Sequence, residues 1–318
     1  MLQNFISSKP KARAFPGTQV DLAQHARPPI KWAGGKSQIL PEISKRYPQD
    51  FDTYIEPFLG GGAVFFDIQK RFDAKRFLLF DNNRELVLLY TVLRDDVEQV
   101  IDRLARFAEQ YLPANHTERS EIYYRVRNEF NEGLKSIDFE KASPLWVERA
   151  ARLVFLNKTG FNGLFRVNGK GLYNVPIGRY SKPPILDEVN LRAVSKALQK
   201  AEIHRFDFSK VLDYANRSTF IYYDPPYRPL SKTAYFTSYT STDFNDDEQR
   251  RLAQVFWEAH RLGSKQLLSN SDPKNINSND NFFDDLYSPF TIDRITATRA
   301  INSNSEKRGR ITELLVYN

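Results

Sequence analysis

Five short runs rich in apolar and β-branched residues recur along the chain. They lie at residues 53–58, 76–81, 219–224, 265–269 and 311–317. Several of these runs are almost continuously apolar, which is the pattern of strands that are covered on both faces. They predict a sheet that is buried between layers of helices.

Helical periodicity separates the third run from the fourth. Residues 246–262 carry apolar side chains at helical spacing and begin with three acidic residues, which suit the positive end of a helix. Residues 86–107 and 146–156 also show helical periodicity, whereas 82–157 contain no convincing strand. This order predicts an α/β fold, a Rossmann-like sheet with helices on both faces.

The positions of these elements predict three regions. Residues 28–90 and 195–318 would form one sheet domain, and residues 91–194 would form a mainly helical insertion between its two parts. Residues 1–27 lack periodicity, and we expect them to be a flexible N-terminal extension.

The amino-acid composition excludes several kinds of catalytic and metal-binding site. The 318 residues include no cysteine, which excludes disulfides, thiolate zinc sites and a cysteine nucleophile. The four histidines are scattered, at positions 25, 116, 204 and 260, so we expect no metal site. The sequence has no run of 18 consecutive apolar residues, and we expect a cytoplasmic protein without a membrane partner.

Positive charge is concentrated in two segments. The chain carries 46 basic and 39 acidic residues, a net charge of +7. Residues 158–182 contain five basic residues and no acidic one, and residues 1–36 contain six basic residues and one acidic residue. A solvated basic surface and a surface that faces phosphates both fit this distribution.

A glycine-rich turn follows the first predicted strand. Gly60, Gly61 and Gly62 precede an apolar run that predicts a helix from about Ala63, with free N–H groups facing a ligand. Asp81 follows 19 residues after Gly62, at the end of the next predicted strand. A carboxylate at this spacing commonly accepts hydrogen bonds from ribose hydroxyls. The segment therefore favours a nucleoside-containing cofactor over a purely structural turn.

Two other nucleotide-binding patterns are incomplete. Phe65 stands at the third glycine position of the dinucleotide fingerprint. Residues 31–37, KWAGGKS, end like a P-loop, but Ile30 occupies the position of its first glycine. These departures count against a nicotinamide oxidoreductase and against a nucleoside triphosphatase.

The sequence Asp224-Pro225-Pro226-Tyr227 ends the third predicted strand. Two successive prolines remove two backbone donors and stiffen the chain. The Asp224 carboxylate and the Pro225 carbonyl would then accept both hydrogens of an exocyclic amine, beside the flat ring of Tyr227. Such acceptance frees the nitrogen lone pair for attack, and positioning supplies most of the rate. Taken alone, the same corner also fits a proline-terminated strand with an aromatic plug.

Six motifs together resemble the Dam-like DNA adenine-N6 methyltransferases, in particular the DpnII-type members of the D12 class with the alpha order of motifs. In chain order they are KWAGGK (31–36), EPFLGGGAVFFD (56–67), DNN (81–83), FNGLFRVN (161–168), NVPIGRY (174–180) and DPPY (224–227). The resemblance covers about residues 28–318. It implies a methyltransferase sheet, a target-recognition domain at 91–194, S-adenosylmethionine as cofactor, and N6 of adenine in double-stranded DNA as acceptor.

Carried over motif by motif, the resemblance implies a cofactor site and a base site. Asp81 would bind the ribose hydroxyls, Lys36 the methionine carboxylate, and Asp207 with Phe208 the adenine of the cofactor. The other residues implied at the cofactor site are Trp32, Phe58, Gly60, Gly62 and Asp224. The target adenine, flipped out of the duplex, would contact Asp224, Pro225, Pro226 and Tyr227.

The resemblance also gives the basic segment 158–182 a role in target recognition. Arg166 would read a guanine through O6 and N7, and Leu164 and Pro176 would contact a thymine methyl group. Lys31 and Tyr180 match positions near the first guanine of GATC, which is therefore the implied target. The remaining predicted DNA contacts are Asn162, Arg179 and Lys182.

Two alternatives stay open on the sequence. The corner is compatible with other planar amines, so the acceptor could be an RNA base or a protein glutamine. A catalytically silent DNA-binding relative is the other alternative, although the intact glycine turn, Asp81 and Asp224 count against it. The biological role stays open as well: modification beside a cognate restriction endonuclease, or genome marking without one.

Overall fold

The computed structural model describes residues 25–228, 244–298 and 310–318, so most of the predicted N-terminal extension lies outside the described residues. The strands in this part of the chain are Thr53–Glu56 (β1), Arg76–Phe80 (β2), Ala201–His204 (β3), Thr219–Tyr223 (β4), Lys265–Ser271 (β5), Thr291–Thr298 (β6) and Arg310–Tyr317 (β7). They form one sheet in the order β3-β2-β1-β4-β5-β7-β6. β1 to β5 are parallel, whereas β7 runs antiparallel to both β5 and β6.

Helices account for most of the remaining described chain. The α-helices are Leu40–Ser44 (α1), Ala63–Arg71 (α2), Arg84–Asp95 (α3), Val97–Tyr111 (α4), His116–Glu132 (α5), Pro144–Thr159 (α6), Glu188–Leu198 (α7), Asp246–Arg261 (α8) and Phe282–Leu286 (α9). The predicted helix after the glycine turn and the predicted helix before β5 are both present. Residues 82–157 contain helices and no strand, as predicted.

The strands alternate their side chains between two buried faces of the sheet. Tyr54 and Phe220 pack on one face with residues of α2, α3, α6 and α7. Ile55 and Ile221, the next residues along the same strands, pack on the other face with residues of α8 and α9. Because both faces are covered, the strands β1 and β4 read as continuous apolar runs. The predicted α/β fold with helices on both faces is confirmed.

Two strands and one helix boundary differ from the prediction. β3 and β6 were not predicted, because they are the edge strands of the sheet and lack a continuous apolar run. The predicted helix 86–107 is two helices, α3 and α4, which meet at Asp96 with a backbone φ of −133°. Apolar periodicity continues across this one-residue break, so the pattern alone does not show it. The division into a sheet domain and a helical insertion stays a prediction.

Candidate active site

Three of the predicted site segments lie at the carboxyl ends of neighbouring strands. β1 leads into the glycine turn, β2 into Asp81 and β4 into Asp224. β1 lies between β2 and β4 and is parallel to both. The carboxyl ends of the three strands therefore meet, which is where open α/β sheets bind their ligands.

Asp81 ties the glycine turn to the end of β2. Its carboxylate accepts hydrogen bonds from the N–H of Gly60 at 2.9 Å and from the N–H of Asn83 at 2.8 Å. Tyr90 of α3 donates its hydroxyl to the Gly60 carbonyl at 3.1 Å. Burial raises the pKa of Asp81 to about 6, and the two N–H donors oppose that rise. The carboxylate thus orders the turn. Its contact with the ribose hydroxyls of a cofactor stays a prediction.

Trp32 lies between the glycine turn and the predicted recognition segment. A side-chain Cβ at Gly60 would come within 3.0 Å of Cδ1 of Trp32, and Gly60 has a φ of +49°. Only glycine suits both conditions without strain. On its other side the Trp32 ring stacks on Phe165, with 5.4 Å between the ring centroids. The sequence predicted Trp32 at the cofactor site but gave no sign of its contact with Phe165.

Three aromatic rings cluster beside the turn. The centroids of Phe58 and Phe208 are 5.5 Å apart, and Phe244 lies 5.7 Å from Phe58 and 5.8 Å from Phe208. Phe58 and Phe208 are predicted cofactor residues that the fold brings together. Phe244 was missed, because it stands just before α8 and belongs to none of the quoted motifs. Flat apolar rings of this kind are suited to hold a planar base.

Asp207 is engaged with α8. Its carboxylate accepts hydrogen bonds from both terminal nitrogens of Arg251, at 2.7 and 2.8 Å. The hydrogen bonds from Arg251 hold the pKa of Asp207 well below its usual range. The guanidinium of Arg251 also covers the Phe208 ring, with its carbon 3.9 Å from the centroid. Asp207 and Arg251 thereby fix Phe208 in the aromatic cluster, and contact between Asp207 and a cofactor stays a prediction.

Lys36 and Asp224 form an ion pair inside the corner after β4. Nζ of Lys36 lies 2.5 Å from Oδ1 of Asp224, and only 4% of the Lys36 residue surface is exposed. The same ammonium donates to the Gly34 carbonyl at 2.6 Å and lies 4.6 Å from the centroid of the Tyr227 ring. Burial raises the pKa of Asp224, whereas the Lys36 ammonium lowers it.

The rest of the corner is held by residues that the sequence did not reveal. Gln249 of α8 donates to the Pro226 carbonyl at 3.0 Å, and Ser269 of β5 donates to Asp224 at 3.3 Å. The Tyr227 hydroxyl donates to Oε2 of Glu313 on β7 at 2.6 Å. These partners lie far along the chain and carry no motif, so only the fold brings them to the corner.

A buried carboxyl group, Glu56, ends β1 beneath the site. It accepts a hydrogen bond from the Tyr54 hydroxyl at 2.7 Å and is 2% exposed. Burial raises the pKa of Glu56 well above its ordinary value, and the charge of Asp224 adds to the rise. Glu56 was not predicted as a site residue, although it opens the quoted motif EPFLGGG.

The predicted recognition segment folds as a short loop structure after α6. Val167 pairs with Tyr173 across a tight turn, and Arg166 donates to the side-chain oxygen of Asn174 at 2.6 Å. The predicted DNA contacts are at least partly accessible. Lys31, Asn162, Pro176, Arg179 and Lys182 are exposed, and Leu164, Arg166 and Tyr180 are half-buried.

Asn157, near the end of α6, joins two of the motifs. Its side-chain oxygen accepts the Lys31 N–H at 2.9 Å, while its amide nitrogen donates to the carbonyls of Lys31 at 2.9 Å and Gly163 at 2.7 Å. Lys31 packs so closely on Gly163 that a Cβ there would lie 2.7 Å from Cδ of the lysine. The buried Asn157 thus places Lys31 beside the turn that carries Asn162 and Leu164. Asn157 belongs to none of the six motifs and was not predicted as a site residue.

The described residues include neither a candidate metal site nor a helix that could span a membrane. They contain no group of three or more histidine or acidic side chains placed to hold a metal ion. No helix in the same ranges has the length and apolar character needed to cross a membrane.

The fold is that of an α/β methyltransferase, and comparison with known proteins identifies the family. Residues 32–301 match the family model of the D12 class N6 adenine-specific DNA methyltransferases. The match covers most of the chain, and the chain therefore belongs to this family of enzymes. The resemblance inferred from the six motifs is confirmed.

Several characterised relatives are similar along almost their whole length. The type II methyltransferase M.MjaIII of Methanocaldococcus jannaschii is 43% identical over 298 residues, which cover 92% of this chain and 99% of that protein. The type II methyltransferase M1.LlaDCHI of Lactococcus lactis subsp. cremoris is 37% identical, covering 92% and 95%. The DNA adenine methylase of Haemophilus influenzae is 34% identical, covering 91% and 92%.

Proposed function

We propose that this enzyme transfers the methyl group of S-adenosylmethionine to N6 of an adenine flipped out of duplex DNA, with GATC as the target. One observation carries the proposal. The turn at Gly60–Gly62 and the corner at Asp224–Tyr227 follow adjacent parallel strands, β1 and β4, and so face one another at one edge of the sheet.

The residues around the turn fit S-adenosylmethionine. The Asp81 carboxylate would accept hydrogen bonds from ribose hydroxyls, and the rings of Phe58, Phe208 and Phe244 would flank the adenine. Lys36 offers a buried ammonium for the methionine carboxylate. When bound, S-adenosylmethionine supplies a methyl group on a positively charged sulfur.

The corner after β4 would bind the acceptor amine. Asp224 and the Pro225 carbonyl would accept one N6 hydrogen each, while the Pro226 carbonyl accepts the hydrogen bond from Gln249. Tyr227 stacks on the purine. With both hydrogens held, the nitrogen lone pair would face the methyl carbon and attack it directly, without a covalent enzyme intermediate. The N–CH3 bond would form as the S–CH3 bond breaks, S-adenosylhomocysteine would leave, and one N6 proton would be lost to water. The base must leave the duplex to reach this pocket.

The recognition segment supports DNA as the polymer. We assign Arg166 to a guanine, Leu164 and Pro176 to a thymine methyl group, and Lys31 and Tyr180 to the first guanine of GATC. Asn162 lies on the same loop, and Arg179 and Lys182 would bind phosphates without reading sequence. The helical region 91–194 would serve as the target-recognition domain of this enzyme.

The names of the relatives bear on the biological role. Two of the three are type II methyltransferases, and the third is a DNA adenine methylase. We propose a modification role beside a cognate restriction endonuclease, since the relative with 43% identity carries the type II name.

Methylation mapping of DNA from cells that express the protein tests the proposal. We expect N6-methyladenine at GATC and at no other sequence context. Methylated adenine in another context would contradict the assigned target while keeping the reaction.

Labelled methyl groups in RNA or protein, with none in DNA, would favour the alternative acceptors. A lack of S-adenosylhomocysteine binding by the purified protein would indicate a silent DNA-binding relative.

A further inference from the structure

The hydroxyl of Tyr227 has a partner that lies 86 positions further along the chain. It donates a hydrogen bond of 2.6 Å to Oε2 of Glu313. Glu313 lies near the start of β7 and pairs with Ser271, the last residue of β5. Because β7 runs antiparallel to β5, its first residues reach the edge of the sheet where the parallel strands end. The fold thereby delivers a carboxylate from the C-terminal strand to the active site.

Glu313 stands out within its strand. The following residues Leu314, Leu315 and Val316 are fully buried apolar side chains. The Glu313 carboxylate instead points to the half-buried Tyr227. A hydrogen bond to an ionised carboxylate is about twice as strong as one between neutral groups. The contact therefore restrains the two side-chain torsions that set the plane of the Tyr227 ring.

We propose that Glu313 is a positioning residue for methyl transfer: it accepts the hydrogen bond of the Tyr227 hydroxyl and fixes the ring plane on which the target adenine stacks. The inference rests on the proposed function of the corner. Glu313 acts through Tyr227 and does not itself contact the amine or the cofactor.

The ring is held on two sides in the structure. Glu313 binds its hydroxyl, and the Lys36 ammonium faces the ring at 4.6 Å from the centroid. Burial, together with the charges of Asp224 and Glu313, raises the pKa of Tyr227 well above its ordinary value. The raised pKa favours the protonated hydroxyl, which is the form that donates to Glu313.

The charge of Glu313 has a second, separable consequence. Burial raises the pKa of Asp224, the Lys36 ammonium lowers it, and the charge of Glu313 raises it further. The charged or titratable groups that face Asp224 are Lys36, Glu56, Tyr222, Tyr227 and Glu313. Removal of the Glu313 charge leaves one like charge fewer around Asp224, so the pKa of Asp224 falls.

Two variants at one position separate these effects. Glu313→Ala removes the acceptor, and Glu313→Gln keeps an acceptor oxygen but removes the charge. Glu202→Gln, a carboxylate on the edge strand β3 at the far side of the sheet, is the matched control. Each protein is assayed for kcat and KM on a GATC duplex from pH 5 to 9, and for binding of S-adenosylhomocysteine. Extrusion of the base is followed by the fluorescence of 2-aminopurine placed at the target adenine.

Glu313→Ala should lose about 10- to 100-fold in kcat, the effect expected for a hydrogen bond to a charged group. Its affinity for S-adenosylhomocysteine should match the wild type, and its 2-aminopurine signal should change. Glu313→Gln should restore kcat at the optimum to within about threefold of the wild type. The acidic limb of its kcat profile should move to lower pH, which a merely structural role would not produce.

Several outcomes would overturn the inference while leaving the proposed function intact. They are a Glu313→Ala enzyme as fast as the wild type, a Glu313→Gln enzyme as slow as Glu313→Ala, or an acidic limb that stays in place. If Glu313→Ala does not fold, Tyr227→Phe removes the same hydrogen bond from its other end, and a wild-type kcat in that variant would overturn the inference. A wild-type protein that methylates no adenine would instead refute the proposed function itself.

Discussion

At the scale of single residues, Lys36 combines two roles. Its ammonium contacts the Asp224 carboxylate at 2.5 Å and faces the Tyr227 ring, the same two groups that we assign to the adenine amine. An adenine stacked on that face of the ring would displace the ammonium. The methionine carboxylate of the cofactor is the new partner that the family resemblance gives Lys36. Binding of the cofactor would thus help to open the amine site.

The pH profile of Lys36→Met tests the electrostatic part of this account. Asp224 accepts an N6 hydrogen more strongly when it is ionised, and the Lys36 ammonium lowers its pKa against the rise caused by burial. Without the ammonium the pKa of Asp224 rises further. The acidic limb of kcat/KM for S-adenosylmethionine, which reports the free enzyme, should therefore move to higher pH, opposite to the shift expected for Glu313→Gln. Lys36→Arg, which keeps the charge, should leave the limb near its wild-type position.

The decisive readout is kcat/KM for the cofactor, because kcat at saturation reports the complex, in which Lys36 has left Asp224. A limb that remains in place, or moves to lower pH, would show that Lys36 does not set the ionisation of Asp224.

At the scale of elements, the end of α6 organises the recognition surface. Asn157 binds the backbone of Lys31 on both sides and the carbonyl of Gly163. Lys31 and Gly163 are 132 residues apart in the chain and belong to different motifs. One buried amide therefore fixes the spacing between two parts of the predicted base-reading surface.

Asn157→Leu should relax sequence discrimination. The substitution leaves the Lys31 N–H and two carbonyls without their partner, and each unsatisfied buried group costs about 1–3 kcal/mol. We expect the ratio of kcat/KM on GATC to that on singly substituted sites to fall about tenfold, within the range of one base contact. The measurement compares the two classes of duplex at one salt concentration, because phosphate binding depends on salt.

Thr159→Val is a suitable control for this prediction. Thr159 is buried in the same turn of α6, and its hydroxyl donates to the Phe155 carbonyl at 2.7 Å. The variant should lose stability but keep its discrimination, since Thr159 contacts neither Lys31 nor Gly163 through that bond. Equal discrimination by Asn157→Leu and the wild type would refute the role of Asn157.

Helices and strands were predicted correctly from the sequence where their burial requires a regular pattern of apolar residues. β1, β2 and β4 lie inside the sheet and have continuous apolar runs, so their positions were predicted closely. β3 and β6 lie at its edges, where burial is incomplete and the apolar pattern is broken. Helix α8 was predicted because its apolar stripe faces the sheet and its acidic first turn marks its start.

At the scale of the whole molecule, the helices of the predicted insertion share a core with the sheet. Buried side chains of α5 and α6, such as Phe130 and Leu156, belong to the same cluster as Leu79 of β2. Arg149 of α6 connects this region further. It donates two hydrogen bonds to Glu85 of α3, at 2.6 and 2.7 Å, and one to the Phe130 carbonyl at 2.8 Å.

Loss of Arg149 should destabilise the entire molecule. Arg149 and Glu85 are both almost fully buried, so Arg149→Met leaves an uncompensated charge inside the protein. We expect the free energy of unfolding in urea to fall by about 3–5 kcal/mol. The double variant Arg149→Met with Glu85→Leu should recover much of that loss. A single transition that stays at the wild-type midpoint in Arg149→Met would contradict this account.

The sequence predicted the residues that we assign to the chemistry, and only the fold shows which residues contact them. The glycine turn, Asp81 and the corner at 224–227 form recognisable local patterns. Gln249, Glu313 and Asn157 reach their partners across the folded molecule, with ordinary residue types at unremarkable positions. The only sequence signal for Glu313 is an acidic residue within an apolar strand, which gives no indication of the residue it contacts.

The central claim is that Asp224 grips the amino group that becomes methylated. The most direct test measures N6-methyladenine formed on a GATC duplex by the purified wild type and by Asp224→Asn, at equal occupancy by S-adenosylmethionine. We predict N6-methyladenine from the wild type and a rate at least about 100-fold lower from Asp224→Asn, with its fold retained. Formation of N6-methyladenine by Asp224→Asn at the wild-type rate would contradict the account.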